Sequence, residues 1–166
     1  MAAGGNAPTS RWRVSSGGQY PGTVERLLRS LPRWFGIEES NTGYVAAARE
    51  LPTYLARPAA DPAAEPVGVL LARRHYPESA EIHLMAVRPD LHRAGVGRAL
   101  VQSLEADLAA SGCKLLQVKT LGPSHPDPGY ALTRAFYDAM AFLPLEELHD
   151  LWDQGNPCLI MVKPLA

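Results

Sequence analysis

Apolar positions along the chain switch repeatedly between helical and strand spacing, and the switches mark out its elements. Val24, Leu27, Leu28 and Leu31 recur with a helical period and predict a first helix over 23–31, which Pro32 ends. Trp34-Phe35-Gly36-Ile37 reads as an aromatic turn, and Tyr44, Ala47, Ala48 and Leu51 trace the apolar stripe of a second helix over 38–50. Residues 53–57 and 67–74 pattern as the strands of a hairpin, joined by a proline-rich connector, 58–66. In the next strand, 81–87, a two-residue period sets Ile82, Leu84 and Ala86 on one side and Glu81, His83, Met85 and Val87 on the other. A helix follows, with Val96, Leu100, Leu104 and Leu108 at four-residue spacing, and Gly112 is its expected stop. Residues 114–121 form a further strand. A helical crossover joins it to the 81–87 strand, so the two should run parallel. Over 130–140, Leu132, Ala135, Phe136, Ala139 and Met140 form the stripe expected to be buried, which turns Tyr137 away from the core toward a cleft. Two strands, 142–152 and 158–163, close the chain, and the second is apolar enough to predict burial on both faces.

This order predicts a mixed α/β fold: one sheet, mostly antiparallel but opened at a parallel pair, with helices on both faces. The 166 residues suit a single domain, expected over 19–166. Residues 1–18 are expected to be a disordered tail, because glycines and a proline interrupt any amphipathic helix, although Arg11 to Val14 has the pattern of a short first strand. The net charge of -1 provides no bulk attraction to nucleic acid or to a membrane surface. No run approaches the ~20 apolar residues of a membrane span. Two cysteines, Cys113 and Cys158, make no disulfide framework, so a reducing, cytoplasmic setting is expected, with Cys158 a core residue.

Candidate chemistry concentrates between the 81–87 strand and the helix after it. That turn gathers Arg88, Arg93, Arg98 and His92 against a single aspartate, Asp90, and ends in Gly95-Val96-Gly97. A helix start presents unpaired N–H groups to an anion, and glycine lets the backbone approach it closely. Such a unit is a phosphate cradle. It is not a Walker loop, since no Gly-Lys-Ser/Thr triplet occurs in the chain, and Leu100 stands where a dinucleotide fingerprint needs a third small residue.

The run from Ala86 to Leu100 resembles the acyl-coenzyme A signature of the GCN5-related N-acetyltransferase (GNAT) superfamily, Arg/Gln-x-x-Gly-x-Gly/Ala, with His92 at its first position. A second block, Ala135-Phe136-Tyr137-Asp138-Ala139-Met140-Ala141-Phe142, is similar to the family's later helix-to-strand signature, with Ala141 in place of the usual glycine. Tyr130 falls where many members have a coenzyme-contacting asparagine. The resemblance covers roughly residues 51 to 164 and implies a GNAT-like fold that transfers an acetyl group from acetyl-coenzyme A to an amine. It implies coenzyme contacts from Met85, Ala86, Val87, His92, Arg93, Ala94, Gly95, Val96, Gly97 and Arg98. It also implies Glu81 as general base, the Val87 N–H on the thioester carbonyl, and Tyr137 as the acid that protonates the departing thiolate.

For most of these residues a structural role competes with the chemical one. Glu81 also suits a strand-edge salt bridge, and His83, on the same face, is a second candidate base or a neutral rim histidine. Trp34 and Phe35 are either an acceptor wall or plain core. The loop 122–129 carries three prolines and exceeds the ~2 to 6 residues usual between a strand and a helix, so it is expected to rim the acceptor pocket with His125. His125 and Asp127 without further ligands make a poor metal site, and no metal is expected. The expected partner is an amine acceptor, on a monomer or homodimer with no nucleic-acid or membrane role. The competing class is a module of the same fold that binds the coenzyme without catalysis.

Overall fold

The structure, a computed structural model, describes residues 10–166. Seven strands form one sheet: β1 (Trp12–Ser16), β2 (Thr53–Pro58), β3 (Gly68–Tyr76), β4 (Ser79–Val87), β5 (Leu115–Leu121), β6 (Leu143–Asp153) and β7 (Asn156–Pro164). Their spatial order is β1-β2-β3-β4-β5-β7-β6, antiparallel throughout except for β4 and β5. The helical crossover between β4 and β5 is α3 (Val96–Ala110), as the spacing predicts. The other helices are α1 (Pro21–Arg29), α2 (Glu38–Ala47) and α4 (Pro128–Ala139).

Two apolar clusters flank the sheet. On one face, Leu100, Val101, Leu104 and Leu108 of α3 pack on Leu70, Ile82, Leu116 and Val118, joined by Tyr137 and Met140 from the end of α4. On the other, Val24, Leu27 and Leu28 of α1 pack on Leu55, Val69, Leu71, Leu84 and Ala86. Each such side chain contributes about 1.5–3 kcal/mol by leaving water. Close contact between α3 and the sheet depends on Gly68, where a Cβ would lie 2.7 Å from Val96 Cγ1 and 3.2 Å from Leu100 Cδ1.

Four expectations change. First, Trp12–Ser16 pairs along the whole of β2, so the ordered domain begins before residue 19, and only residues 1–9 of the expected tail lie outside the described residues. Trp12 is buried because its indole N–H donates to Ala94 O at 2.7 Å, which ties the first strand to the entry of α3. Second, the alternation of β4 is broken: Leu71 pairs with Leu84 but Ala72 with Ile82, so His83 is an extra residue, a β-bulge. Ile82 therefore belongs to the α3-side core and Leu84 and Ala86 to the opposite one, while Met85 and Val87 pack on the α3 side. Third, α4 is rotated from its expected phase. Tyr137 and Met140 are buried, whereas Leu132 (59 % exposed), Ala135 and Ala139 are not. Fourth, the two faces of β7 are not equally buried: Leu159 and Met161 are buried on one, whereas on the other Cys158 is fully buried, as a core cysteine should be, but Ile160 and Val162 are only half-buried.

Replacing Gly68 by alanine should force α3 away from the sheet, because Val96 is β-branched and has little rotamer freedom to yield. A loss of about 1–3 kcal/mol is expected, read by chemical denaturation against wild type.

Candidate active site

β4 and β5 pair only from Ser79 to Ile82 against Leu115 to Val118, and beyond that point the two strands separate. Into the gap opens a cleft of about 860 Å³, lined by the ends of β4 and β5, the first turn of α3, the inner face of α4 and the aromatic turn before α2. The backbone of β4 faces it with unused donors. Arg88 N–H donates to Val67 O at 2.8 Å, and the antiparallel register then turns Ala86 and Leu84 toward β3 and the N–H groups of Met85 and Val87 toward β5. The Val87 carbonyl is occupied, accepting a hydrogen bond from His92 Nε2 at 2.7 Å. On the opposite wall Thr120 is 4 % exposed, and its hydroxyl has no partner among the described residues.

The cradle is built by two left-handed residues. Arg93 (φ 67°) and Gly95 (φ 87°) turn the chain so that α3 starts at the cleft, and no side chain among the described residues caps it. The N–H groups of Val96, Gly97 and Arg98 are thus left for a ligand. Arg88 is taken up by Asp90, with its Nε 2.6 Å from Oδ1, while Arg93 and Arg98 make no ion pair among the described residues and line the cleft. Gly97 permits the close approach of α4: a Cβ there would lie 3.2 Å from the Phe136 ring. Met85, Ala86, Val87, His92, Arg93, Gly95, Val96, Gly97 and Arg98 all line the cleft, whereas Ala94 does not. Its carbonyl holds Trp12 instead.

Tyr137 also lines the cleft, yet it is 4 % exposed and its ring packs edge-on against Phe136 and Phe142 at centroid distances of 5.1 and 5.3 Å. The cleft-facing tyrosine of the sequence reading is therefore a core residue as well. Its hydroxyl has no hydrogen-bond partner among the described residues, and burial pushes its pKa far up, so it remains protonated.

Glu81 and His83 share a face of β4, as expected, but occupy different places. Glu81 is 5 % exposed and does not line the cleft. His75 Nε2 donates to its Oε2 at 2.6 Å, Gln117 Nε2 donates to the same oxygen at 3.3 Å, and Lys119 Nζ donates to Oε1 at 3.2 Å. Burial alone would raise its pKa. The hydrogen bond from His75, the Lys119 charge and the bonds from Lys119 and Gln117 outweigh burial and hold it below the usual carboxylate range. The salt-bridge reading of Glu81 thus describes its surroundings. His83 lines the cleft, and burial, helped by Arg73, lowers its pKa, so the imidazole is neutral near pH 7.

Trp34 and Phe35 line the cleft and also pack against the α1-side core, which joins the two readings of these residues. Phe35 stands edge-on to Tyr44 at 6.0 Å and Tyr44 to His83 at 5.6 Å, a row of three rings along one wall. Tyr130 O–H donates to Trp34 O at 3.1 Å and anchors this turn to α4. His125 does not line the cleft. Its Nδ1 accepts from Asp127 N–H at 3.2 Å, and Asp127 in turn caps α4 by accepting from Gly129 and Tyr130 N–H. In the loop 122–129, His125 and Asp127 serve the cap of α4, and only Gly129 lines the cleft. Sequence reasoning did not single out Thr120, Trp152 and Asp153, all of which line the cleft; the last two arrive on the β6–β7 hairpin.

A sheet opened at a parallel pair above an uncapped helix start is the frame expected of an acyl-group transferase. A sequence profile described as the acetyltransferase (GNAT) family matches residues 21–142, and the chain belongs to that family. Solved structures agree in fold. A GNAT-family protein from Desulfovibrio desulfuricans superposes with a TM-score of 0.77 at 20% identity, over 93% of this chain and 98% of that one. The ribosomal-protein-S18-alanine N-acetyltransferase of Escherichia coli gives 0.73 at 18% identity, over 93% and 94%. An aminoglycoside 6'-N-acetyltransferase complexed with coenzyme A gives 0.70 at 18%, over 93% and 97%. A comparison with curated proteins finds no match.

Because the folded chain holds the Glu81 carboxyl below its unfolded value, near 4.5, the cluster stabilises the fold above that pH and the contribution vanishes as pH falls through the lower folded value. Glu81→Gln should therefore melt below wild type at pH 7, and thermal melts from pH 7 to 3 should show the gap closing below about 4.5. A gap that persists unchanged at pH 3 contradicts the assignment.

Proposed function

We propose that the protein is an N-acetyltransferase that moves an acetyl group from acetyl-coenzyme A to a primary amine by direct attack within a ternary complex. One observation carries the reading: the unpaired N–H groups at the start of α3, the unpaired N–H groups of Met85 and Val87, and the side chains of His83 and Tyr137 all open on the same cleft. Acetyl-coenzyme A fits these residues as a cosubstrate. The first turn of α3, with Arg93 and Arg98 beside it, suits the pyrophosphate. The gap between β4 and β5, with its unpaired backbone donors and the orphaned Thr120 hydroxyl, suits an extended amide-bearing arm.

The chemistry then divides among this chain's own groups. The Val87 N–H, turned toward the gap, donates to the thioester carbonyl oxygen and stabilises negative charge as the amine nitrogen attacks the carbonyl carbon. Neutral His83, directly or through water, takes the proton that the amine must lose; Glu81, behind the wall and held by Lys119, supplies its field without itself reaching the acceptor. The C–S bond breaks, and the sulfur takes a proton from Tyr137, which is protonated at the start of the step; the strongly basic tyrosinate regains a proton from water, and His83 returns the amine's proton to water, so the cycle closes.

Two variants test the reading. Gly97→Glu adds a side chain against Phe136 and a negative charge at the anion cradle, and should abolish coenzyme A binding in calorimetry. Tyr137→Phe keeps the packed ring and should lower kcat roughly 10- to 100-fold, the modest end for general acid catalysis because a thiolate already leaves well, with coenzyme A affinity unchanged. Wild-type turnover by the folded Phe variant, with chemistry rate-limiting, removes Tyr137 from the mechanism. Coenzyme binding without coenzyme A release on any amine points instead to a non-catalytic binding module.

A further inference from the structure

The acceptor end of the cleft differs in charge from its cradle end. Arg93 and Arg98 stand at the cradle, whereas the only carboxylate that lines the cleft among the described residues is Asp153. Asp153 is already engaged: its oxygens accept from Gly155 N–H and from Asn156 Nδ2, each at 2.9 Å. Glu81 is withdrawn behind the wall into its own ion cluster. What remains on the acceptor side is mostly aromatic, Trp34, Phe35, Tyr44, Tyr130 and Trp152, beside Lys119, which is paired with Glu81, and the neutral Asn41, whose Oδ1 has no partner among the described residues. Burial raises the pKa of Tyr44 and Tyr130, so these hydroxyls stay neutral, and His83 is neutral as well.

Resting on the acetyltransferase reading, we infer that the acceptor is a small amine carrying one positive charge on an aromatic or flat apolar body, and that polycationic amines are rejected. Aromatic faces attract a single ammonium and bury an apolar body beside it. A second and third ammonium would be stripped of water against this wall with no carboxylate to receive them, which is costly. The inference separates this cleft from what an aminoglycoside or a polyamine requires. It also accounts for the shape of the wall: the row Phe35, Tyr44, His83 leads from the aromatic turn to the proposed proton acceptor.

The test reads acceptor binding without turnover. Protein saturated with coenzyme A is titrated calorimetrically with 2-phenylethylamine, tryptamine, spermidine and kanamycin, and the same titrations are made on protein without coenzyme. The two monoamines should bind at least about 10-fold more tightly than either polycation. Equal or tighter binding of spermidine or kanamycin overturns the inference, as does failure of both monoamines to bind. Failure of coenzyme A itself to bind strikes the acetyltransferase reading instead, and the coenzyme-free titrations still decide the acceptor class. Two surface variants sharpen the result. Trp152, 47 % exposed, can be replaced by alanine with little effect on folding, and 2-phenylethylamine should bind about 5- to 30-fold more weakly while thermal stability holds. Ile37 lines the cleft at 60 % exposure, and Ile37→Glu should tighten spermidine relative to 2-phenylethylamine. An unchanged preference in both variants means that the acceptor binds elsewhere.

Discussion

Backbone polar groups removed from water must find partners, and the divergence of β4 from β5 leaves two short stretches of strand unable to find them in each other. The whole site depends on that gap. Everything around it maintains the separation: the bulge at His83 changes the face of β4 where the pairing stops, Gly68 lets α3 lie tight on the neighbouring strands, and Trp12 holds the loop that delivers α3 to the mouth of the gap. A continuous parallel ladder would satisfy the same groups and leave no room for a ligand. The fold thus gives up a few sheet hydrogen bonds at its centre, and a bound extended chain can return them.

Charge is sorted along the cleft with similar economy. Arg93 and Arg98, without ion-pair partners among the described residues, stand where the helix N-terminus already favours an anion, so the local field is additive there. The one deeply placed carboxylate near the acceptor side, Glu81, is neutralised by neighbours on β3 and β5. An uncompensated carboxylate at that depth would be protonated or would open the sheet edge; paired with Lys119 and His75 it remains charged and out of contact with the cleft. His83 then faces the cleft as a neutral imidazole, the form a group needs if it is to take up a proton.

The sequence carried most of the frame in legible form. The parallel pair follows from strand, helix, strand spacing, and the cradle from its arginines and glycines, because both depend on local pattern and on backbone geometry that few residues allow. His83's bulge was not legible: a single extra residue leaves no mark on an alternation in which His83 and Met85 are both tolerable on either face. His125 misled for a different reason. A long, proline-stiffened loop has a functional look, yet Asp127 uses that length to cap α4, and the histidine serves the turn. Trp152 and Asp153 could not have been found from their own strand, since only the β6–β7 hairpin brings them to the cleft.

Helix α4 shows most clearly where pattern reading meets its limit. Its apolar residues surround more than half of the helix, and apolar character marks a surface that leaves water without saying whether protein or ligand covers it. Leu132 is exposed in the structure and lines the cleft, whereas Tyr137, which the periodicity turned away from the core, sits inside it between Phe136 and Phe142. The two outcomes have one cause: the apolar arc of α4 covers the core and the apolar part of the cleft alike, so the centre of that arc does not mark the core. Tyr137 therefore holds, at the boundary between core and cleft, a hydroxyl that has no hydrogen-bond partner among the described residues and that burial keeps protonated.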